Sequence, residues 1–242
     1  MISFLFLLPL TAAEENFEKD VIKTNAGDLE ITFIGHGSLI FTFNGMVIHV
    51  DPFSRVADYS RMPKADLVLI THHHGDHMDT EALGHIKKEN TKIILTKKCS
   101  ETIKDGIVMA NGDVKEIKLE KTLKIEAVPA YNIVHKRESG QPFHPKGEGN
   151  GYVVTFGDKR VYVAGDTENT PEMKKLKNID IAFLPANLPY TMTAEMVVDA
   201  VTAFKPAVLY PYHFHFGTGQ VPKLEALLKD EKDIDLRIRG GK

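Results

Sequence analysis

The stretch Thr71-His72-His73-His74-Gly75-Asp76-His77-Met78-Asp79 constrains the chain more than any other feature. Four of the eleven histidines fall in these nine residues, where an even spread would place about 0.4. The stretch follows Asp66-Leu67-Val68-Leu69-Ile70, a continuous apolar run of strand length suited to a strand covered on both faces. After it, Asp79 is placed to cap a helix running to about Lys88. A loop between a buried strand and a helix is where α/β proteins commonly place their sites. In extended backbone, side chains two apart share a face, so His72 and His74 point together and His73 turns away. Gly75 permits the sharp turn that returns Asp76 and His77 to the same cavity. Imidazoles beside a carboxylate suit zinc, manganese or iron. Each residue alone has a plainer role, as a cap, a packed core group or a surface group. The H-x-H-x-D-H spacing between an apolar strand and a helix has none.

Composition narrows the class. The 242 residues are 43% hydrophobic and 26% charged, which suits a globular chain and excludes fibrous and wholly disordered ones. A net charge of -3 gives no general attraction to nucleic acid, and no nucleic-acid partner is expected. Cys99 is the one cysteine, so an internal disulfide and a multi-cysteine metal knuckle are both excluded. No apolar stretch reaches membrane-spanning length, so no transmembrane anchor is expected. The first residues are nonetheless distinctive. Ile2 to Leu10 is almost wholly apolar, with Thr11, Ala12, Ala13 and two acids behind it. This reads as the apolar region and cleavage site of an export signal that lacks a basic leader. The expectation is therefore a removed segment at 1–13, a single domain at 14–242 and a periplasmic or secreted location; without a signal the location is cytoplasmic.

Short strands dominate the pattern. Leu29 to Ile34 alternates and should be half buried. Ser38 to Phe43 and Met46 to Val50 flank Asn44-Gly45, a hairpin turn pair. Further strands are predicted at Lys92 to Leu95, Ile107 to Met109 and Leu123 to Val128. The second half repeats the mix: Gly151 to Phe156 and Arg160 to Ala164 joined at Gly157-Asp158, then Ile179 to Leu184, Ala207 to Tyr210 and Ile234 to Ile238. Helices are predicted after Pro171, at Thr193 to Phe204 and at Pro222 to Leu228. Hairpins early in each half, then strands interleaved with helices, suggest two sheets with helices outside. Pro129 to Gly151 is a long polar loop of the kind that often carries function.

His72-x-His74-x-Asp76-His77 resembles the signature of the metallo-beta-lactamase superfamily. Distant segments match in the family's order: Asp51 after Val47-Ile48-His49-Val50, Gly165-Asp166-Thr167 after the strand ending at Ala164, and Pro211-Tyr212-His213 after the strand ending at Tyr210. The resemblance spans about residues 28 to 219. It implies a four-layer αββα sandwich with metals at the strand ends. It assigns His72 and His74 to a first metal and Asp76, His77 and His213 to a second, with Asp166 bridging. Asp51 would back the ligands. The opening Gly35-His36-Gly37-Ser38 looks most like the ascorbate-phosphate lactonase-like branch, and His36 beside its glycines could reach the site mouth.

One position departs from the pattern. Asn132 stands where the family supplies a third histidine to the first metal. A carboxamide oxygen is a weak donor beside imidazoles. His144, between Pro142 and Pro145, is the favoured substitute, and His135, next to Lys136 and Arg137, the other. His215 could share the face of His213, while His49 and His85 carry no motif.

The expected activity is metal-dependent hydrolysis of an ester, lactone or phosphodiester by metal-activated water, with one or two zinc ions or manganese in their place. Asp76, Asp166 and His144 are the candidate catalytic groups. The substrate is a small molecule, and Lys136, Arg137 and Lys146 suit an anion, with Tyr131 and Phe143 as pocket walls. The alternative is a degenerate metal-binding member without catalysis, for which Asn132 is the argument.

Overall fold

The computed structural model describes residues 16–240, so the segment at 1–13 lies outside the described residues. Its first seven strands are β1 (Glu18–Thr24), β2 (Gly27–Gly35), β3 (Ser38–Phe43), β4 (Met46–Val50), β5 (Leu67–Leu69), β6 (Lys92–Leu95) and β7 (Ile107–Val108). They form one sheet in sequence order. Asn44 and Gly45 take positive φ of 49° and 79°, the geometry that lets a two-residue turn follow strand twist, and β3 pairs β4 antiparallel through it. From β4 onward the neighbours are parallel.

The second half runs the same course. β8 (Val114–Lys118), β9 (Thr122–Ala130), β10 (Gly149–Phe156) and β11 (Lys159–Val163) are antiparallel. β12 (Ile181–Pro185), β13 (Val208–Tyr212) and β14 (Asp235–Leu236) then add in parallel.

The sheets stack face to face. Leu29, Ile31, Phe41 and Ile48 of the first meet Ile125, Val154, Val161 and Phe183 of the second. Phe41 sits 5.6 Å from Phe156 and 5.8 Å from Phe183, ring centre to ring centre. Truncating such a fully buried ring costs about 3–5 kcal/mol. Outside the first sheet, α1 (Thr80–Ile86) buries Ala82, Leu83 and Ile86 against Ile34, Ile40 and Val68. Outside the second, α2 (Ala194–Phe204) and α3 (Gln220–Leu228) cover Val153, Tyr162, Ala182 and Leu209. The layers are αββα, the metallo-beta-lactamase fold.

Four expectations are corrected. Leu29 to Ile34 is buried along most of its length, because helix and turn cover the sheet's outer face as well. α1 stops at Ile86, with Lys87 already extended, although Asp79 does cap it by accepting from the Glu81 and Ala82 amides. Pro171 leads only into the short 3-10 turn Met173–Lys175. β1 and β8 were not expected; both are rich in charge, and pairing with one neighbour fixes them.

This topology positions the site. Parallel β4 and β5, and parallel β11, β12 and β13, align their C-terminal ends. Asp51, Thr71 to His77, Asp166 and His213 follow β4, β5, β11 and β13, so all gather at one end of the sandwich.

Candidate metal centre

The backbone is forced into place first. Among the described residues six non-glycines have positive φ, and His36, Asp51 and His213 are three of them, at 52°, 43° and 47°. Such angles are costly for side chains of this size and persist where surrounding contacts over-determine them. His213 N donates to His36 O at 2.9 Å, tying the two segments together. Gly37 allows the closest approach. A Cβ there would lie 2.9 Å from His77 Cε1 and 3.3 Å from His213 Cδ2.

Asp51, fully buried, accepts from Thr71 N at 2.8 Å and Thr71 Oγ1 at 2.6 Å. Its Oδ2 also meets His77 Nδ1 at 2.8 Å. That bond holds one His77 proton on Nδ1 and turns Nε2, the nitrogen that must give up its proton to a cation, toward the cluster. There His77 Nε2 and His213 Nε2 are 3.1 Å apart. Each lies 3.5 Å from Asp166 Oδ1 and 3.7 Å from Asp76 Oδ2. Ligands at the vertices of a tetrahedron about zinc, with bonds of about 2.0–2.2 Å, are about 3.3–3.6 Å apart. Asp166 Oδ1 is buried with no hydrogen-bond partner. An orphaned carboxylate oxygen facing two imidazole nitrogens fits a cation between them.

The other Asp166 oxygen faces a second group. His144 Nε2 lies 3.2 Å from Asp166 Oδ2. His72 Nε2 lies 3.1 Å from His74 Nδ1, and one donor atom from each of His72, His74 and His144 falls within 4.8 Å of the others. His36, Asp76, His77 and His213 meet the same condition, as do His72, His77 and Asp166. Asp166 therefore stands between two donor groups.

His144 is aimed by Asn132. The Asn132 amide group donates to Tyr190 O at 2.8 Å and Glu168 Oε1 at 3.1 Å. Both partners are acceptors, so Oδ1 must face His144, where it accepts from the His144 backbone N–H and from Nδ1, each at 2.8 Å. Glu168 is the knot of this loop. Fully buried, it also accepts the Ile133, Val134 and His135 amides at 2.7 Å and meets His135 Nδ1 at 2.7 Å. His135 thus turns to Glu168 and joins none of the donor groups.

The titrating groups are poised for a cation. Burial, reinforced by His77, holds His72 well below the usual imidazole range. Burial and His144 bring His74 to about 4, and burial lowers His36. Burial also opposes charge on His77, but Asp166, Asp51 and Asp76 push it up to about 9. Burial resists ionisation of Asp166 and Asp76, yet the facing imidazoles hold both well below the usual carboxylate range. The carboxylates stay ionised, and a proton on His77 balances them where a cation would otherwise do so.

Other candidates fall on either side of the cleft. His36 Nε2 lies 2.9 Å from Asp76 Oδ2, and its ring is 3.8 Å from that of His213. His215 and Phe143 line the opening, as does Arg137. Lys146 is bound to Glu172 at 2.8 Å and lies over the Tyr131 ring, and neither lines the cleft; nor does Lys136. His49 is buried on Pro63 O at 3.0 Å, and His85 is exposed. Glu168, Gly37 and Asn187, which meets His213 Nδ1 at 3.1 Å, were not singled out from the sequence. Glu168 directly follows Gly165-Asp166-Thr167, but its partners lie 33 to 36 residues upstream.

Comparison with known proteins gives a consistent picture. Residues 30–213 match the model of the beta-lactamase superfamily domain. A UPF0173 metal-dependent hydrolase of Natranaerobius thermophilus is 30% identical over 198 residues, 77% of this chain and 84% of its own. One from Flavobacterium johnsoniae is 29% identical over 228 residues, 87% and 96% of the two chains. A crystal structure from Parabacteroides distasonis, assigned to the metal-dependent hydrolases, is 46% identical and superposes with a TM-score of 0.85, covering 94% of this chain and all of that one.

Proposed function

We propose, from the premise that the chain belongs to the metallo-beta-lactamase superfamily and is a metal-dependent hydrolase like its UPF0173 relatives, that it cleaves an ester, lactone or phosphodiester bond of a small molecule at a two-metal centre. The observation that carries this is the orphaned Asp166 Oδ1, 3.5 Å from both His77 and His213, while Oδ2 faces His144. His72, His74 and His144 would hold one ion, and Asp76, His77 and His213 the other, with Asp166 shared. Imidazole and carboxylate donors suit zinc, and manganese is the alternative.

Bound there, such ions supply Lewis acidity, making a water acidic near neutral pH and polarising the bond under attack. The chain's own groups do the rest. Asp51 fixes the His77 ring through Nδ1, and Asn132 fixes His144 in the same way. His213 offering Nε2 carries its proton on Nδ1, which calls for the Asn187 carboxamide oxygen opposite it. Asp76 is the ligand carboxylate open to the cleft, with a third of its side chain exposed, whereas Asp166 is enclosed. Asp76 would offer Oδ2 to the second ion, with His36 at 2.9 Å holding that oxygen in place, and its other carboxylate oxygen orients the attacking water and takes its proton.

A non-catalytic reading rested on Asn132, and an imidazole from His144 at the donor group removes its ground. Within the superfamily, Gly35-His36-Gly37-Ser38 supports the lactonase-like branch, hence a lactone among the candidate bonds. The apolar run Ile2 to Leu10 supports export, which N-terminal sequencing of the protein from cells and medium tests. Elemental mass spectrometry of untagged protein, followed by ester, lactone and phosphodiester panels, tests the activity. Two ions per chain with turnover is the expected result. A full metal load with no turnover on any panel would overturn it.

A further inference from the structure

The cleft in front of the donors encloses about 360 Å³. His36 and Asn187 line it but are committed to Asp76 and His213. Apart from these and the donors, its wall is Arg137, Phe143, Tyr190 and His215. Arg137 is the one lysine or arginine on that wall. It is exposed, and no carboxylate pairs with it among the described residues; its guanidinium stands 5.1 Å above the Phe143 ring and touches only Phe143 O, at 3.4 Å. An aromatic face holds a guanidinium flat while leaving its fork of donors open.

The loop bearing Arg137 is pinned on both sides. Glu168 accepts the three amides just before it. Arg137 N donates to Gln141 O and Gly140 N to Arg137 O, each at 2.8 Å. A charge fixed this way loses little freedom on meeting a ligand.

The loops that carry Arg137 and Tyr190 also bear exposed apolar side chains. Ile133, Val134 and Tyr190 are 46%, 62% and 45% exposed, half of the large hydrophobics so exposed among the described residues. They lie on two loops that Asn132 ties together through Tyr190 O. The Tyr190 ring stands edge-on to Phe143 at 5.0 Å. Tyr190 and Phe143 thus bring an apolar face to the cleft wall, and such a face beside a few polar groups marks a binding surface.

We propose that this wall is a substrate subsite for an amphiphilic organic acid: one anionic group on the Arg137 guanidinium, and an apolar or aryl body along Phe143 and Tyr190, continued by Ile133 and Val134 on the loop that Asn132 ties to Tyr190. The inference rests on the hydrolytic reading above for the word substrate, since it places the scissile bond at the donor groups. A polyhydroxylated ligand fits poorly, because the wall side chains with polar atoms still uncommitted are Arg137, His215 and the Tyr190 hydroxyl.

Titration calorimetry of the metal-loaded protein with 4-phenylbutyrate, its neutral amide and acetate separates the contributions. The acid should bind about tenfold tighter than either the amide or acetate, the scale of one charge-assisted pair or one buried ring. Arg137→Gln should bring acid and amide within about twofold while metal content stays unchanged, since an exposed residue is removed. Val134→Ser combined with Tyr190→Ser should weaken acid and amide together by about fivefold. The subsite is overturned if Arg137→Gln leaves the acid-to-amide ratio unchanged, or if acetate binds as tightly as 4-phenylbutyrate. Turnover is scored separately on the ester, lactone and phosphodiester panels. Arg137-dependent binding without any turnover sinks the hydrolytic reading and leaves the subsite. Turnover with no dependence on Arg137 sinks the subsite and leaves the hydrolytic reading.

Discussion

Asn132 Oδ1 accepts two hydrogen bonds from His144, one from its backbone N–H and one from Nδ1, both at 2.8 Å. The carboxamide at the place of a ligand thus holds an imidazole 12 residues further on. Its removal frees the His144 ring and leaves Nδ1 without an acceptor. Asn132→Ala should therefore lower affinity for the first ion by about 10–100-fold, the usual effect of losing a residue that orients a ligand. Competition with a metal-sensitive dye reads this. The second ion should be retained, and an equal loss of both ions would contradict the role.

Asp166 is the group whose charge both donor sets share. Asp166→Asn keeps its shape but removes the negative charge that faces His77, His213 and His144. Metal load should fall and turnover should drop by more than about 100-fold. Wild-type turnover with a normal metal load in this variant would mean that the shared-carboxylate scheme is wrong.

Gly37 gives a steric test. The methyl of Gly37→Ala would press on His77, which Asp51 holds from behind at 2.8 Å. The ring cannot retreat, so its Nε2 must shift away from the cluster. The second ion should bind at least about tenfold more weakly, and thermal stability should fall too, because Gly37 and His77 are both buried and the added methyl overpacks them. Ion-by-ion displacement with a chelator measures it.

His49 makes the fold sensitive to acid independently of the metal centre. Its fully buried ring is brought down to about 4 by burial, against about 6.5 in the unfolded chain. Between those values the unfolded chain binds a proton that the folded one does not. Stability therefore falls as pH drops from about 6.5 to about 4, by about 3 kcal/mol from this group alone. Urea midpoints of chelator-treated protein at pH 7.5 and 4.5 check the sign. His49→Gln, which keeps a donor for Pro63 O, should lose less on acidification than the wild-type chain.

Glu168 anchors the loop that carries Arg137 and His144. Glu168→Gln replaces an acceptor oxygen with an amide facing the backbone donors of Ile133, Val134 and His135. Leaving buried donors unmet costs about 1–3 kcal/mol each. The expected outcome is faster proteolysis within 133–141 and weaker binding of the first ion. Unchanged cleavage there would show that the loop holds without this carboxylate.

How legible this protein was depended on the distance over which each feature is decided. The hairpins at Asn44-Gly45 and Gly157-Asp158, the Asp79 cap and α2 were readable because neighbouring residues set their backbone angles. The histidine motif was readable for the same reason, since the end of β5 and the turn closed by the His77 and Met78 amides on His74 O aim residues only a few positions apart, although Gly75 keeps an ordinary φ and was not what the turn required. β1 was not readable: Glu-Lys-Asp-Val-Ile-Lys-Thr has little apolar pattern of its own, and its pairing with β2 supplies what the side chains lack. The sequence favoured His144 over His135 on its flanking prolines but could not decide between them. Both sit in one polar loop, and the choice depends on Glu168, more than twenty residues on, which turns His135 inward while Asn132 turns His144 toward Asp166. The sequence by itself determined the strand-and-helix order and the local donor motif, because these follow from short-range sterics and periodicity. Only the tertiary structure decided which distant imidazole joins that motif and which cation faces the cleft, because buried hydrogen bonds between remote segments have no local signature.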